Sequence, residues 1–555
     1  MFRLQDTLFF QLIKQNAGEK FSRLMFFCIV AGTAQGFTVF AILHGLQSLM
    51  KQGHLLFHQF LFFAISISIF YFSFRYLMKT VSLVALNAIA DWRMRIAVKI
   101  RAIDMRSFEN ISISKIQATL LDNQAVAIEA ARMMIIAASS SVMVIVAMFK
   151  MFTISFWGAG FMLFLMLLGV VRLIMASKQL NVFQAEAVKY NQKFAHSLQG
   201  IIKGFAELKL NRNKTSDLFS KEIIPDADNA LLYNSKIEKS YAYGMTFFEM
   251  LNFLVLGLTL FLLPGFFGIK AEVIGQLMVV GMFCLSPISS LIIFIPLLAK
   301  TEFSLYGMQM LEDELDNASE SCAKDGIANK WDYKEIAVPT FSKIKLKNLQ
   351  FKYNEADESD EFHINISDFE LNKGEMVFIR GGNGSGKTTL MRIISGLYTS
   401  YQGGIMLDDN PINEKNIENY RNLFAVVFTN FHIFESPVGI PQNNLEKINN
   451  IFGKMELASK VHLTDSGKFS TTDLSAGQRK RLALTCALLE GREIYLFDEV
   501  AADFDPEFRV YFYRTFLKEL KATGATILAI SHDDRFFDVA DRVITMDKGL
   551  IVNKS

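Results

Sequence analysis

Six apolar runs, each roughly the 20 residues a helix needs to cross a hydrocarbon layer, restrict this chain to a narrow set of folds. They cover residues 24–46, 57–78, 133–152, 154–176, 244–267 and 273–298. Hydrocarbon offers no partner for an unpaired backbone N–H or C=O, so runs of this length read as membrane-spanning helices. Composition agrees, because 51% hydrophobic residues with 52 Phe among 555 is too apolar for a soluble protein.

The runs pair as one-two, three-four and five-six through short connectors, and long connectors join two to three and four to five. Basic residues set the sidedness. The connector from Lys79 to Arg132 also holds Arg93, Arg95, Lys99, Arg101, Arg106 and Lys115, and that from Arg172 to Tyr243 is equally basic, whereas the short loops offer Lys51, Lys150 and Lys270. The long connectors and both termini are therefore expected in the cytosol. These connectors are poor in Gly and Pro and keep helical apolar spacing, as in Ala90-Asp91-Trp92-Arg93-Met94-Arg95-Ile96. Continued for about 25 residues at 1.5 Å rise, such a helix reaches on the order of 35–40 Å beyond the membrane. Its turns, near Ser107-Phe108-Glu109-Asn110 and near residues 204–210, are the expected contacts with a globular domain.

Polar residues at membrane depth point to a cavity or to helix pairing. Gln35 lies in the first run, and Glu249 and Asn252, three apart, share a face of the fifth. They are candidates for a substrate cavity; the other reading has Glu249 pairing with a basic neighbour near the interface. Pro264 and Pro287 are expected to end or kink runs five and six. Residues 1–20 lack the pattern of a signal peptide and read as a cytosolic or interfacial helix. The net charge of +2 gives no electrostatic case for a nucleic-acid partner. Cys28, Cys284, Cys322 and Cys486 are far apart, which supports neither a zinc site nor a disulfide framework.

Beyond Lys300 the composition turns polar. We expect a membrane domain over residues 1–310, a linker over 311–340 and a globular α/β domain over 341–555. The last opens on an alternating strand, residues 344–353, ending in Tyr353, an aromatic placed to stack on an adenine ring. Next comes Gly381-Gly382-Asn383-Gly384-Ser385-Gly386-Lys387-Thr388, followed by Thr389 and an amphipathic helix. Preceded by an apolar strand, this G-x-x-x-x-G-K-[ST] loop curls backbone N–H groups around nucleotide phosphates. Lys387 adds a point charge, and Thr388 offers an oxygen to Mg²⁺. Further on, the buried-strand run 494–497 ends in Asp498, suited to the Mg²⁺ shell, and Glu499, suited to polarise an attacking water. A second apolar strand ends at His532, within reach of a γ-phosphate.

Leu474-Ser475-Ala476-Gly477-Gln478 precedes a basic helix, where Ser475 and Gly477 present N–H donors to an anion. With this stretch the sequence resembles the ATP-binding cassette family throughout the globular domain. The resemblance makes Tyr353 the adenine-stacking residue, residues 381–388 the Walker A loop, residues 474–478 the signature and Asp498 with Glu499 the Walker B pair and base. Ala502-Asp503-Phe504-Asp505 becomes the D-loop and His532 the switch histidine. Cassettes of this family close head to tail on two ATP, so one cassette per chain implies a homodimer. Two positions depart from the pattern. Ala476 replaces a glycine, and Thr429, with Asn430 beside it, stands where the family has a Mg²⁺-contacting Gln; either side chain has an oxygen to offer.

Six spans joined to a C-terminal cassette resemble the exporter-type half-transporters, an α-helical membrane domain plus an α/β P-loop ATPase. The motifs around residues 204–211, 429, 474–484, 498–509 and 531–534 are most similar to a bacterial group that exports cyclic peptides, syringomycin-type lipopeptides and pyoverdine-type siderophore precursors. This implies ATP-driven export of a peptide-like molecule across a bacterial inner membrane, with the ATPase in the cytoplasm. A lipid or multidrug exporter, or a siderophore importer on the same scaffold, carries the same motifs. An ATP-gated regulator or channel fits less well, since Glu499 and His532 are both present.

Overall fold

The computed structural model describes residues 7–52, 54, 57–111, 116, 119–120, 123–318, 338–352, 363–440 and 445–554. Tyr353 and residues 319–337 of the expected linker lie outside them. The chain forms two compact units, one of residues 1–99 and 111–317, the other of residues 100–110 and 318–555.

The first unit is helical. Among the described residues, five helices are long and apolar enough to cross a membrane: Lys20–Met50, Phe57–Ala102, Ala125–Ile154, Arg212–Gly265 and Ala271–Asn317. The fourth expected run falls in the continuous helix Phe156–Lys203, whose described apolar stretch is Phe156–Leu168. Val39, Leu43, Met143, Met162, Val255, Leu277 and Cys284 are buried together in its core, and Cys284 serves there as a small hydrophobe. Pro264 lies in the last turn of the helix Ile224–Phe267, as an ending proline should. Pro287 sits inside a helix that runs on to Asn317.

That last helix takes in residues 311–317, which the polar composition had assigned to the linker. Leu311 and Leu315 are fully buried. On the flanking face, Glu312 accepts a 2.6 Å bond from the Trp92 indole and pairs with Lys99 at 2.8 Å, and Lys99 also reaches Asp316 at 2.7 Å. Charged residues here decorate a packed helix instead of loosening a linker. At the N-terminus, the helix Leu8–Ala17 buries Phe9, Ile13 and Ala17 along one stripe. The Glu302 carboxylate accepts from the Leu8 and Phe9 N–H groups at 3.1 and 2.6 Å, placing negative charge where the helix dipole favours it.

Two glycines one turn apart let helices Lys20–Gln52 and Asn123–Ile154 approach closely. A Cβ on Gly32 would lie 2.5 Å from the Ser139 carbonyl oxygen, and one on Gly36 would lie 2.6 Å from Val146 Cγ1. This is small-residue packing, which drives association where lipid tails are as apolar as leucine.

The second unit holds two sheets. Strands β1 (Lys343–Lys352), β2 (His363–Asn372), β4 (Gln402–Leu407) and β5 (Asn410–Pro411) form an antiparallel sheet in the order β2-β1-β4-β5. Strands β3 (Met376–Gly381), β6 (Phe424–Val427), β7 (Ile494–Asp498), β8 (Thr526–Ile530), β9 (Arg542–Asp547) and β10 (Leu550–Lys554) form the other, in the order β10-β9-β3-β8-β7-β6. Its pairs are parallel except β9–β10. Every residue of β7 and β8 is buried, as expected of central parallel strands covered on both faces. Ligands gather at the carboxyl ends of such strands, and adjacent β3, β8 and β7 carry the phosphate loop, His532 and Glu499.

Residues 100–110 pack within this second unit. In the helix Met105–Asn110, Glu109 accepts 2.8 Å bonds from Arg392 and from the Tyr398 hydroxyl, and Met105 packs against the cluster containing Ile393, Ile394 and Tyr398. The expected contact at 107–110 is thus present. The other turn forms the helix Phe205–Leu210 of the first unit, with Phe205 and Leu210 exposed.

Gly32→Val should lower the thermal midpoint of the purified protein, because the obstacle is a backbone carbonyl; overpacking of this kind destabilises by about 1–3 kcal/mol. Gly275→Ala, with nothing within 4 Å of the added Cβ, is the control. Equal midpoints for the two variants would refute the close packing.

Candidate nucleotide site

The phosphate loop follows β3 and opens the helix Lys387–Ile394. Its turn needs left-handed backbone at Gly384 and Gly386, with φ of 77° and 98°, which glycine adopts freely. The pocket it frames is lined by Asn383, Gly384, Ser385, Gly386, Lys387, Thr388, Thr389, Arg392, Phe428, Thr429, Asn430, Asp498 and Glu499. Gly381 ends β3 and opens the loop, and a Cβ there would lie 2.3 Å from the Met546 carbonyl oxygen.

Asp498 is wholly buried and is held by the Thr388 hydroxyl, which donates to its two oxygens at 3.0 and 3.2 Å. Burying a carboxylate demands such partners. The Thr429 hydroxyl donates to the Asp498 carbonyl oxygen at 3.3 Å. Both Thr429 and Asn430 reach the pocket. Lys387 donates to the Gly381 and Gly382 carbonyls at 3.1 and 3.0 Å. Burial pushes the Lys387 ammonium below its usual pKa, and the Glu499 and Asp498 carboxylates partly oppose this.

Glu499 adopts left-handed backbone, φ 50° and ψ 35°, a conformation non-glycine residues keep only when their surroundings enforce it. Its N–H donates to the Ile530 carbonyl at 3.2 Å, and its Oε1 lies 2.9 Å from His532 Nε2. The carboxylate and imidazole are therefore one hydrogen-bonded pair. The backbone after His532 is fixed by Ser531, whose hydroxyl accepts from the Asp533 N–H at 3.1 Å and bonds the Tyr513 hydroxyl at 2.8 Å.

Leu474, Ser475, Ala476, Gly477 and Gln478 do not line this pocket. They form the start of the helix Ala476–Glu490, where Ser475 Oγ accepts from the Gln478 N–H and Gln478 Oε1 accepts from the Ser475 N–H. This capping box leaves the helix N-terminus rigid, and Ser475 and Ala476 are exposed. Asp505 caps the helix Pro506–Tyr511. Its bond from the Phe508 N–H, assisted by Arg481, holds its carboxyl below the usual range. In the first unit Asn252 is buried, Gln35 half-buried and Glu249 exposed. None of the three lines the apolar cavity of ≈ 590 Å³ that Ile13, Leu24, Cys28, Ile135 and Phe294 help to form.

Arg392 and Phe428 belong to the pocket without having been singled out in the sequence. Arg392 lies four residues after Thr388, a spacing that puts both on one helix face and would have identified it. Phe428 shows no signal beyond standing next to Thr429.

Ser385 Oγ is buried and, among the described residues, has no hydrogen-bond partner, so it is suited to bond a phosphate oxygen. An unmet buried hydroxyl costs about 1–3 kcal/mol. Ser385→Ala should therefore leave the nucleotide-free protein as stable or more so, while shrinking the rise in thermal midpoint that ATP produces. A destabilised nucleotide-free protein with an intact ATP effect would contradict this.

The ABC transporter family model matches residues 364–502. ATP-binding protein SyrD of Pseudomonas syringae pv. syringae is 32% identical over 402 residues, covering 70% of this chain and 69% of that protein. The energy-coupling factor transporter ATP-binding protein EcfA1 of Streptococcus mutans serotype c is 31% identical over 228 residues, 38% of this chain and 78% of that protein. A solved structure of a bacterial Atm1-family ABC exporter with ATP bound superposes with a TM-score of 0.74 at 14% identity, covering 97% of this chain and 96% of that one. That likeness gives the fold, a helical membrane domain joined to an α/β ATPase. The chain belongs to the ABC transporter family, as a membrane protein of exporter fold that binds ATP and couples its hydrolysis to transport.

Proposed function

We propose that the protein exports a peptide-like small molecule, a cyclic peptide, lipopeptide or siderophore precursor, from the cytoplasm across a bacterial inner membrane. It works as a homodimer by alternating access. The observation that carries this reading is the reach of the similarity to SyrD. Its 402 residues exceed the cassette and enter the membrane unit, in a chain whose motifs resemble those of the peptide-exporting group.

The site suggests how each residue serves. Gly384, Ser385 and Gly386 present backbone and hydroxyl donors to the phosphates, Lys387 neutralises them, and Thr389 extends the loop into its helix. Thr388 and Asp498, with Thr429 or Asn430, offer the oxygen donors that suit Mg²⁺. Bound there, the ion would neutralise charge on the phosphate oxygens. Glu499 orients the attacking water, and His532, hydrogen-bonded to it, faces the γ-phosphate. Ser475, which is exposed, and the half-buried Gly477 lie outside their own chain's pocket and supply donors to the ATP of a second copy. Tyr353 stacks on the adenine. Gln35, Glu249 and Asn252 are the polar positions available to a substrate cavity.

Glu109 stands in the short helix that follows the apolar helix Phe57–Ala102 along the chain. It holds Arg392, which lines the nucleotide pocket, so closure around ATP can pull on residues 100–110. ATP does this only if it binds the closed dimer better than the open one.

Two measurements test the reading. Glu499→Gln should lower steady-state ATPase activity by about 10²–10⁴-fold, and cells carrying it should retain a peptide-like metabolite that cells with the native chain release. Mass spectrometry of cells and medium decides. A change confined to lipids would replace the peptide with a lipid substrate, and accumulation in the medium would reverse the direction. Separately, Glu109→Ala should keep ATP hydrolysis within about 3-fold while transport in proteoliposomes falls well below that. Parallel losses would remove Glu109 from the coupling path.

A further inference from the structure

Lys480 is 4% exposed, in the second turn of the helix that begins at the signature. A lysine is almost never buried this deeply without partners. Its Nζ donates to the Glu499 backbone carbonyl at 3.1 Å and pairs with Asp503 Oδ2 at 3.0 Å. Both contacts fall on the 3₁₀ turn Val500–Asp503 and the residue that opens it.

The same helix face touches this turn twice more. A Cβ on Gly477, three residues before Lys480, would lie 2.6 Å from the Asp503 carbonyl oxygen, so the helix backbone rests against the turn. One residue after Lys480, Arg481 bonds the Asp505 carboxylate, pairs with Glu456 at 2.6 Å and stacks over Phe508 with its guanidinium carbon 3.7 Å from the ring centroid. Of these three residues only Lys480 reaches the peptide that carries Glu499. That peptide is the strained one, with left-handed φ, and its carbonyl otherwise accepts only a 3.2 Å bond from the Ala502 N–H among the described contacts.

We propose that Lys480 is a positioning residue for Glu499. Its ammonium anchors the Glu499 carbonyl and so fixes the backbone from which the carboxylate meets His532. It is not among the residues that line the nucleotide pocket and acts through Glu499. A charge-assisted bond to a peptide oxygen is stronger than the neutral bond beside it, and the half-exposed Asp503 balances the buried charge. Because Lys480 stands on the signature helix, the aim of Glu499 becomes tied to the seating of that helix. The inference rests on Glu499 being the residue that orients water.

The test uses the full-length protein with magnesium ATP. Lys480→Met is expected to lower kcat by about 10²-fold, the effect of a small misplacement of a reacting group. KM for ATP should stay within about 2-fold, since no binding contact is lost. The pH dependence of kcat should change shape as the Glu499–His532 pair loosens, and hydrogen exchange at the Ala502 amide should quicken. Lys480→Arg, which keeps the cation, should recover most of kcat. Should Lys480→Met fail to fold, Lys480→Gln, too short by one atom to hold the carbonyl, is expected to give the same kcat loss and the same altered pH profile. Unchanged kcat overturns the proposal. So does a loss of kcat that follows the thermal midpoint and KM with the pH profile intact, which is how a merely structural lysine would behave. Glu499→Gln separates the two readings: if it keeps full activity the role of Glu499 is wrong, and if it is inactive while Lys480→Met is not, only the role of Lys480 falls.

Discussion

The bond from the Thr388 hydroxyl to the buried Asp498 carboxylate ties the phosphate loop to the neighbouring strand system, and the site is assembled around it. Asp498 has no exposure to water, so its oxygens need a partner inside the fold, and the loop faces them with a donor. Position follows from topology: β3, β8 and β7 are adjacent and parallel, so the loop, His532 and Glu499 leave the sheet at one edge. The Glu499 N–H and Ile530 carbonyl continue the β7–β8 ladder one step past Asp498. Left-handed backbone at Glu499 then turns the chain away with its side chain next to His532. A sheet that packs for hydrophobic reasons thereby fixes a hydrogen-bonded acid–base pair to within ångströms.

The membrane unit solves a different problem. Its helices satisfy their own backbone groups, and lipid provides no hydrophobic drive to pack them. Specific approach must come from shape, and Gly32 and Gly36 against Ser139, Val142 and Val146 supply it. Where the helices leave the apolar zone, ion pairs take over: Lys99 lies between Glu312 and Asp316, with the Trp92 indole on the same Glu312. The pairing is part-buried, so it is screened less than a surface pair and holds helix ends that apolar contact alone would leave to fray.

Much of this was legible in the sequence because the constraints are local. Apolar length announces a membrane helix, and a glycine-rich loop between strand and helix announces a phosphate cradle. Both depend on neighbours along the chain. The expected linker boundary differs from the structure for the complementary reason: residues 311–317 are polar in composition, and only the burial of Leu311 and Leu315 in the folded chain shows them to be packed. Arg392, Phe428 and Lys480 were overlooked for the same cause. A lysine in a basic helix start reads as solvated until the fold brings residues 499 and 503 under it. The Gly32 and Gly36 pair was likewise silent, since its meaning lies in which helix faces it.

The placement of the signature decides what one chain can accomplish alone. Ser475 and Ala476 are exposed, and the capping box uses the Ser475 N–H and a lone pair of its hydroxyl oxygen, not the hydroxyl's own proton. The turn is therefore rigid before any ligand arrives, and little ordering remains to be done on binding. A preformed, outward-facing helix N-terminus attracts anions, yet these five residues are absent from the pocket that their own phosphate loop frames. One chain consequently offers a phosphate cradle and, apart from it, a second set of donors with no phosphate of its own. In the proposed homodimer two chains arranged head to tail would complete both, and loss of the γ-phosphate on hydrolysis would remove the reason for them to stay closed.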